Sequence, residues 1–296
     1  MAAMLISIDR QSVAPEAAMI PVLDHGFLFG DSVYEVVRTW QGKLLFHEEH
    51  FARLENSAAG IALPLPLSCD ELRAEFERLH QESGFEESYL RVIITRGVGA
   101  LELAIASCDQ QRTICIAKPL TVWPAAFYAQ GARLAIVSVV RNSRRATNPA
   151  FKTGNYLNNV LAIEEAKAVQ ATEALMLNAA EQITECSTSN VFFVKDGQIH
   201  TPALGVGILP GITRAKVCEV AKSLGLDCHE GEYSLEELLA ADEVFITSTT
   251  RDVMPISEFA IGEVIRRVGD PGEVTLCIAQ AYRELCDAST QRRAEA

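Results

Sequence analysis

Chemistry that needs a reactive amine has few places to happen in this chain. Lysine occurs only at positions 43, 118, 152, 167, 195, 216 and 222. Six of the seven have plain roles. Lys43 and Lys195 fall at hairpin turns, Lys118 precedes a proline, Lys167 follows Glu164 on a helix, and Lys216 and Lys222 lie on the polar face of a helix over 212–224. Lys152 differs. It stands in Asn-Pro-Ala-Phe-Lys-Thr-Gly-Asn-Tyr-Leu-Asn-Asn-Val-Leu, with no other charged residue between Arg145 and Glu164. An amine in apolar, uncharged surroundings has its charged form disfavoured, and can then act as nucleophile, base or Schiff-base former. An ordinary surface-loop lysine is the alternative, and the local sequence leaves both readings open.

Other residues could receive anions. Leu209-Pro210-Gly211 leads into a helix beginning at Ile212-Thr213, where free backbone N–H groups and the helix dipole favour phosphate. Tyr34, Val36, Arg38 and Trp40 share one face of a strand over 32–40, and Tyr89, Arg91, Ile93 and Thr95 share one face of a strand over 89–95. Solvent is the ordinary surroundings of a strand arginine. Two Tyr/Arg pairs at period two would also line a pocket for a carboxylate with an apolar tail. His47-Glu48-Glu49-His50 places two imidazoles three residues apart at a helix start, but offers no third ligand, so no metal is expected.

The elements that must position these residues are mixed. Short apolar strands are expected at 4–9 and 19–23, then the β-branched strand 32–40 turning at Gln41-Gly42 into Lys-Leu-Leu-Phe. Helices follow at about 47–59 (Phe51, Leu54, Ala58 on one face) and 69–83. The second has Ser68 and Glu71 as a capping box and Leu72, Phe76 and Leu79 as its stripe. Strands 89–95 and 113–117 complete a domain over 1–118. Residues 119–131, with two prolines and a closing Gln-Gly, read as an interdomain loop. The domain over 132–296 then runs strand (133–140), helix (155–170), strand (173–178), a hairpin at Asp196-Gly197, helix (212–224), strand (243–248) and a terminal helix (273–286). The absence of steady strand–helix alternation makes the fold class α+β.

Composition excludes several functions. The chain has 296 residues, 49% of them hydrophobic, and a net charge of −13, with no basic run to draw nucleic acid or an anionic membrane. The eight cysteines form no C-x-x-C pair, the N-terminus lacks a signal-peptide apolar core, and no stretch is long enough to span a bilayer. Reduced thiols and a cytoplasmic location are the expectation. There is no P-loop and no G-x-S-x-G elbow, and Gly97-Val98-Gly99 lacks the third glycine of a dinucleotide fingerprint.

Five segments, in order, carry a resemblance that covers nearly the whole chain. They are Gly-Phe-Leu-Phe-Gly-Asp-Ser-Val-Tyr-Glu-Val-Val-Arg (26–38), Glu-His-Phe-Ala-Arg-Leu-Glu-Asn-Ser-Ala (49–58), Thr-Glu-Cys-Ser-Thr-Ser-Asn-Val-Phe (184–192), Leu-Pro-Gly-Ile-Thr-Arg (209–214) and Ala-Asp-Glu-Val-Phe-Ile-Thr-Ser-Thr-Thr (241–250). With Lys-Thr-Gly-Asn-Tyr-Leu-Asn-Asn-Val-Leu-Ala around Lys152, the sequence resembles the class IV, or fold-type-IV, pyridoxal-phosphate aminotransferases. These include branched-chain aminotransferases, D-amino-acid transaminases and aminodeoxychorismate lyase. The resemblance implies a two-domain fold with pyridoxal 5'-phosphate between the domains, Lys152 in the C-terminal domain as its anchor, and a homodimer or larger assembly in which loop 97–109 covers the neighbour's site.

By the same resemblance, Arg53, Ile212, Thr213 and Thr249 hold the phosphate. Glu185 holds the pyridine nitrogen protonated, although composition alone does not separate it from Glu181. Tyr156 partners the ring oxygen. On the substrate side Tyr89 and Arg38 orient the α-carboxylate, Arg91 receives the distal carboxylate of glutamate or 2-oxoglutarate, Phe29, Tyr34 and Trp123 form an apolar wall, and Thr250 and Arg251 complete the site, Arg251 on a substrate carboxylate. Two departures qualify the substrate. Val36 stands where branched-chain enzymes usually have Gly, which is closer to D-amino-acid transaminases. The loop Val98-Gly99-Ala100-Leu101-Glu102-Leu103 nevertheless lacks the Arg-x-His of those enzymes. The expected activity is ping-pong transfer of an amino group from an apolar, branched-chain-type L-amino acid to 2-oxoglutarate. D-amino-acid transamination, aminodeoxychorismate lyase action and a non-catalytic binding role on the same fold are the alternatives, in that order.

Overall fold

A computed structural model describes residues 4–291. Among them the chain forms two compact units, one of residues 4–121, 151–155 and 286–291, the other of residues 122–150 and 156–285.

The first unit is built on a six-stranded antiparallel sheet. Its elements are β1 (Leu5–Ile8), β2 (Gln11–Val13), α1 (His25–Phe29), β3 (Ser32–Trp40), β4 (Lys43–Leu44), α2 (His47–Gly60), α3 (Cys69–Ser83), β5 (Ser88–Thr95) and β6 (Arg112–Pro119). The strand order is β2-β1-β6-β5-β3-β4. Period-two alternation on β5 sends Leu90, Val92 and Ile94 to one face, where they meet Phe51, Leu54, Leu72, Phe76 and Leu79 of the two helices. The capping box of α3 is present, with Ser68 and Glu71 each bonding the other's backbone N–H. β3 and β5 pair Tyr34 with Ile93, Val36 with Arg91 and Arg38 with Tyr89, so both Tyr/Arg pairs occupy the face turned away from the helices.

The expected strand at 19–23 does not form. Pro21 has no N–H to give a ladder, and its carbonyl instead accepts from Asp24 N (3.0 Å), closing a turn whose Asp24 side chain caps α1.

The second unit holds α4 (Ala125–Gln130), β7 (Ala132–Ile136), α5 (Leu157–Ala168), β8 (Glu173–Leu177), β9 (Ile183–Cys186), β10 (Asn190–Lys195), β11 (Gln198–Pro202), α6 (Ile212–Ser223), β12 (Cys228–Gly231), α7 (Leu235–Leu239), β13 (Glu243–Ser248), β14 (Asp252–Ile261), β15 (Val264–Arg267) and α8 (Glu273–Gln291). The last residues of α8, from 286, group with the first unit. The nine-stranded sheet runs β12-β11-β10-β13-β14-β7-β8-β9, with β15 beside β14 and a single Asn190–Glu185 pairing that joins β9 back to β10. Parallel β14–β7 and β7–β8 pairs among antiparallel ones make the α+β mixture concrete.

Two boundaries differ from the sequence reading. The stretch 119–131 contains α4, whose Phe127 and Tyr128 pack on the second unit's core, so residues from 122 belong to that unit. Residues 151–155, expected with the C-terminal domain, group instead with the first unit, because their backbone joins β3. The long central strand β14 escaped the reading because Pro255 interrupts its pattern; pairing with β7 begins one residue later, at Ile256.

Candidate active site

The lysine segment is placed by backbone. β4 covers only the Thr39–Trp40 end of β3, which leaves the Ser32–Tyr34 end of that edge open. Lys152–Gly154 fills it: Tyr34 N donates to Lys152 O (2.9 Å), Gly154 N donates to Ser32 O (2.8 Å), and Val33 faces Thr153 in an antiparallel bridge. Lys152 N donates to Ser57 Oγ on α2 (3.0 Å), and Asn155 Nδ2 to Gly30 O (3.2 Å). Two glycines permit this approach. A Cβ on Gly60 would strike the Phe151 ring, and one on Gly154 would strike Ser32 Oγ.

So held, Lys152 projects onto the face of β3 that carries Tyr34. Its Nζ donates to Tyr34 Oη (3.2 Å) and lies 4.3 Å from the ring centroid. The Arg91 guanidinium stacks on the same ring at 3.9 Å, and its buried Nε has no hydrogen-bond partner among the described residues. Arg38 Nε donates to the Thr39 carbonyl (3.1 Å), and Tyr89, cross-strand from Arg38, carries Lys118 over its ring at 4.9 Å. Phe29 sits on α1, edge-on to His25.

Arg53 lies on the helix-covered side of the sheet. Its Nε and Nη2 form a fork to Glu35 Oε2 and Oε1 (2.8 and 2.7 Å), and His50 Nδ1 is 3.1 Å from Oε1. Burial alone would raise the Glu35 carboxyl, but Arg53 and His50 hold it well below the usual carboxylate range. His50 is shifted down, first by burial and then by the Arg53 and Lys152 cations, against the Glu35 carboxylate that favours its charge. It is therefore neutral at pH 7, with Nδ1–H donating to Glu35.

In the second unit, Glu185 is buried and accepts from Arg141 Nη2 at Oε1 (2.6 Å), and from Asn190 Nδ2 (3.2 Å) and Leu209 N (3.0 Å) at Oε2. The last two link this carboxylate to the Leu209-Pro210-Gly211 turn, since Asn190 Nδ2 also donates to Leu209 O (3.1 Å). From that turn α6 starts at Ile212 with Gly211 as an N-cap that offers no side-chain acceptor. Thr213 is buried in the first turn. Glu185, Asn190 and Thr247 stand in one row across β9, β10 and β13, and the buried Thr247 Oγ1 has no hydrogen-bond partner among the described residues. An uncapped helix start beside a held carboxylate and an orphan hydroxyl is a donor and acceptor set that fits a phosphorylated pyridine.

Thr249 and Thr250 form the turn between β13 and β14. Trp123 Nε1 donates to Thr250 O (3.0 Å) and Tyr128 Oη to Arg251 O (3.1 Å). Arg251 is buried, stacked on Trp123 at 4.4 Å, with Nη1 donating to Thr188 Oγ1 (2.8 Å) and lying 3.4 Å from Glu173. The cation read from sequence as a substrate contact thus has an internal anion. Tyr156 is the N-cap residue of α5.

The family description "Amino-transferase class IV" matches residues 32–259. The chain belongs to the class IV aminotransferases. A Methanocaldococcus jannaschii protein provisionally named a branched-chain-amino-acid aminotransferase is 34% identical over 95% of this chain and 96% of its own. The D-alanine aminotransferase of Listeria monocytogenes (strain 10403S) is 35% identical over the same shares. The T.th. branched-chain amino acid aminotransferase, solved with pyridoxamine 5'-phosphate and, separately, complexed with N-(5'-phosphopyridoxyl)-L-glutamate, is 31–32% identical with a TM-score of 0.87. Both structures cover 98% of this chain and 95% of theirs. The fold is therefore fold type IV and this aminotransferase is an enzyme.

Several residues of this class IV enzyme were not found from sequence. Glu35 was legible in principle, as a charge alternating with Tyr34 on the core face beside Val33 and Val37, which demands a buried partner. Arg141 and Ser57 had no such signal, because their partners Glu185 and Lys152 lie far along the chain; Asn190 acts through the pairing of β9 with β10, which no local pattern announces. Among the described residues no group of three or more His, Cys, Asp or Glu could hold a metal, and no helix is long and apolar enough to cross a membrane.

Two outcomes follow. Gly154→Ala should destabilise the fold by about 1–3 kcal/mol and accelerate exchange of the Tyr34 amide proton, read by hydrogen–deuterium exchange; an unchanged Tyr34 amide would mean the segment tolerates the methyl. As pH falls below the ordinary histidine value of ~6.5, the unfolded chain takes up a proton that buried His50 resists, so the urea midpoint should fall. His50→Asn should flatten that slope. Below the ordinary carboxylate value of ~4.3 the depressed Glu35 adds a second loss of stability, which His50→Asn leaves in place.

Proposed function

We propose that this enzyme transfers the amino group of an apolar, branched-chain-type L-amino acid to 2-oxoglutarate by a ping-pong cycle, with pyridoxal 5'-phosphate anchored on Lys152. The observation that carries the reading is the stack of Lys152 Nζ, Tyr34 and Arg91 on one sheet face, an amine beside a guanidinium whose buried Nε has no hydrogen-bond partner among the described residues.

Class IV aminotransferases use pyridoxal phosphate, which when bound supplies the electron sink that lets a substrate Cα release its proton. The chain's own residues do the rest. Lys152 Nζ takes and returns that proton, oriented by Tyr34 Oη. Glu185, pinned by Arg141 and Asn190, presents its carboxylate to the pyridine nitrogen. Ile212, Thr213, Thr249 and Arg53 hold the phosphate, Arg53 with its fork fixed by Glu35, and Tyr156 meets the ring oxygen. Arg38 and Tyr89 orient the α-carboxylate and Arg91 receives the distal one. Phe29, Tyr34 and Trp123 wall the apolar side chain, beside Thr250. Arg251 serves by holding the Thr249–Thr250 turn against Glu173. The L-glutamate adduct of the T.th. relative supports the L series. A D-amino-acid donor is the second reading, favoured by Val36 and by the Listeria relative.

The same reading makes the enzyme a homodimer. Leu101 and Leu103 in the 97–109 loop are 74% and 82% exposed, and Met19, Val22 and Phe27 beside it are also exposed; apolar surface of that extent is buried when a second copy covers it.

Single-turnover mixing of the pyridoxal-phosphate form with L-leucine, D-alanine or D-glutamate, without acceptor, should release one keto acid per site from L-leucine alone; release from D-alanine only would sink the L assignment. Borohydride followed by peptide mapping should leave the pyridoxyl group on Lys152. Sedimentation equilibrium should give at least twice the 32.3 kDa chain mass, and a monomer would overturn the assembly.

A further inference from the structure

Cys218 lies midway along α6 and Cys228 opens β12, the edge strand that runs parallel to β11. Ten residues apart in sequence, their Sγ atoms are 2.6 Å apart. A salt bridge next to them sets the same register without using sulfur. Arg214, one helical turn before Cys218, bonds Glu230, two residues after Cys228, at 2.7 Å, and also donates to the Pro202 carbonyl at 2.9 Å. The helix face at i and i+4 therefore meets the strand side at j and j+2 twice, once through an ion pair and once through two thiols. Both thiols are partly exposed, whereas Cys115, Cys186 and Cys286 are buried.

We propose that Cys218 and Cys228 form a reversible dithiol–disulfide site whose co-reactant is a low-molecular-weight disulfide of the glutathione class. The Cys218 thiolate attacks the outer disulfide, forming a bond to one half and expelling the other half as a thiolate that takes up a proton. Cys228 then gives up its proton and attacks the Cys218 sulfur, forming the Cys218–Cys228 bond and releasing the second half as a thiol. One external disulfide is reduced to two thiols, and two protein thiols are oxidised. Cys218, one helical turn after the Arg214 cation on the same face of α6, is the attacking member. The adjacent Cys228 thiol, with the Arg214 cation, holds it below the ordinary thiol range, while Cys228 is pushed up by the same shared proton and by burial. Cys69 is the contrast: burial and the neighbouring Glu55 carboxylate push it up to about 11. The bond would staple α6 to the sheet edge, and the inference is independent of the enzyme's substrate.

The full-length protein, incubated with oxidised glutathione, alkylated and cut with trypsin, tests this directly. Cleavage after Lys216, Lys222 and Arg251 puts Cys218 in peptide 217–222 and Cys228 in peptide 223–251. The expected result is a linked pair of these peptides that dithiothreitol dissolves, with Cys228→Ser instead carrying glutathione on Cys218. Finding both peptides alkylated while the exposed Cys277 carries glutathione would overturn the proposal, because the oxidant would then have acted and passed the pair by. An unmodified Cys218 in Cys228→Ser would overturn it equally.

Discussion

The open half-edge of β3 is the constraint from which the lysine's position follows. A strand edge presents unpaired N–H and C=O groups that must find partners, and β4 is too short to satisfy them all. Lys152 and Gly154 bond the Ser32–Tyr34 end of β3, so a residue more than a hundred positions away in sequence is placed by hydrogen bonds that extend the sheet. Backbone pairing defines register to a single residue, and register decides face. A slip by one would turn Lys152 away from Tyr34. The Ser57 hydroxyl and the absence of side chains on Gly60 and Gly154 make the docking close enough to be unique.

Three nearly or fully buried carboxylates are each matched to an arginine: Glu35 to Arg53 in the first unit, Glu185 to Arg141 and Glu173 to Arg251 in the second. A buried charge persists only when paired and hydrogen-bonded, and the fork geometry of arginine does this better than lysine. This gives physical content to a composition with seven lysines and an excess of arginine. The net charge of −13 describes the body of the protein and says little about its interior, where cations are held rigid by internal anions. Each pair also fixes an element near a proposed cofactor or substrate contact: α2 through Arg53, the Leu209–Gly211 turn through Glu185, and the Thr249–Thr250 turn through Arg251.

The sequence was most legible where structure is local. The period-two pattern of β5, the 3.6-residue stripes of α2 and α3, and the Ser68/Glu71 box depend on residues within a few positions of each other, and they stand as read. Pro21 and Pro255 show the limit from both sides. One removes a strand that the apolar run Met19–Leu23 suggests, and the other hides a strand that the sheet tolerates by delaying its pairing with β7. The domain boundary failed for a related reason, since chain continuity carries no information about which unit's edge residues 151–155 complete.

By itself, then, the sequence determined membership of the class IV aminotransferases, and it is the source of the proposed roles of Lys152 and of the Ile212–Thr213 helix start. Residue type and short-range spacing suffice for those. Only the tertiary structure decided that Arg91 stacks on the tyrosine that holds Lys152, that Arg251 answers Glu173, and that Cys218 meets Cys228. Such pairings rest on which strand edges and helix faces meet, and long-range register is set by the packing of the whole unit rather than by any segment of it.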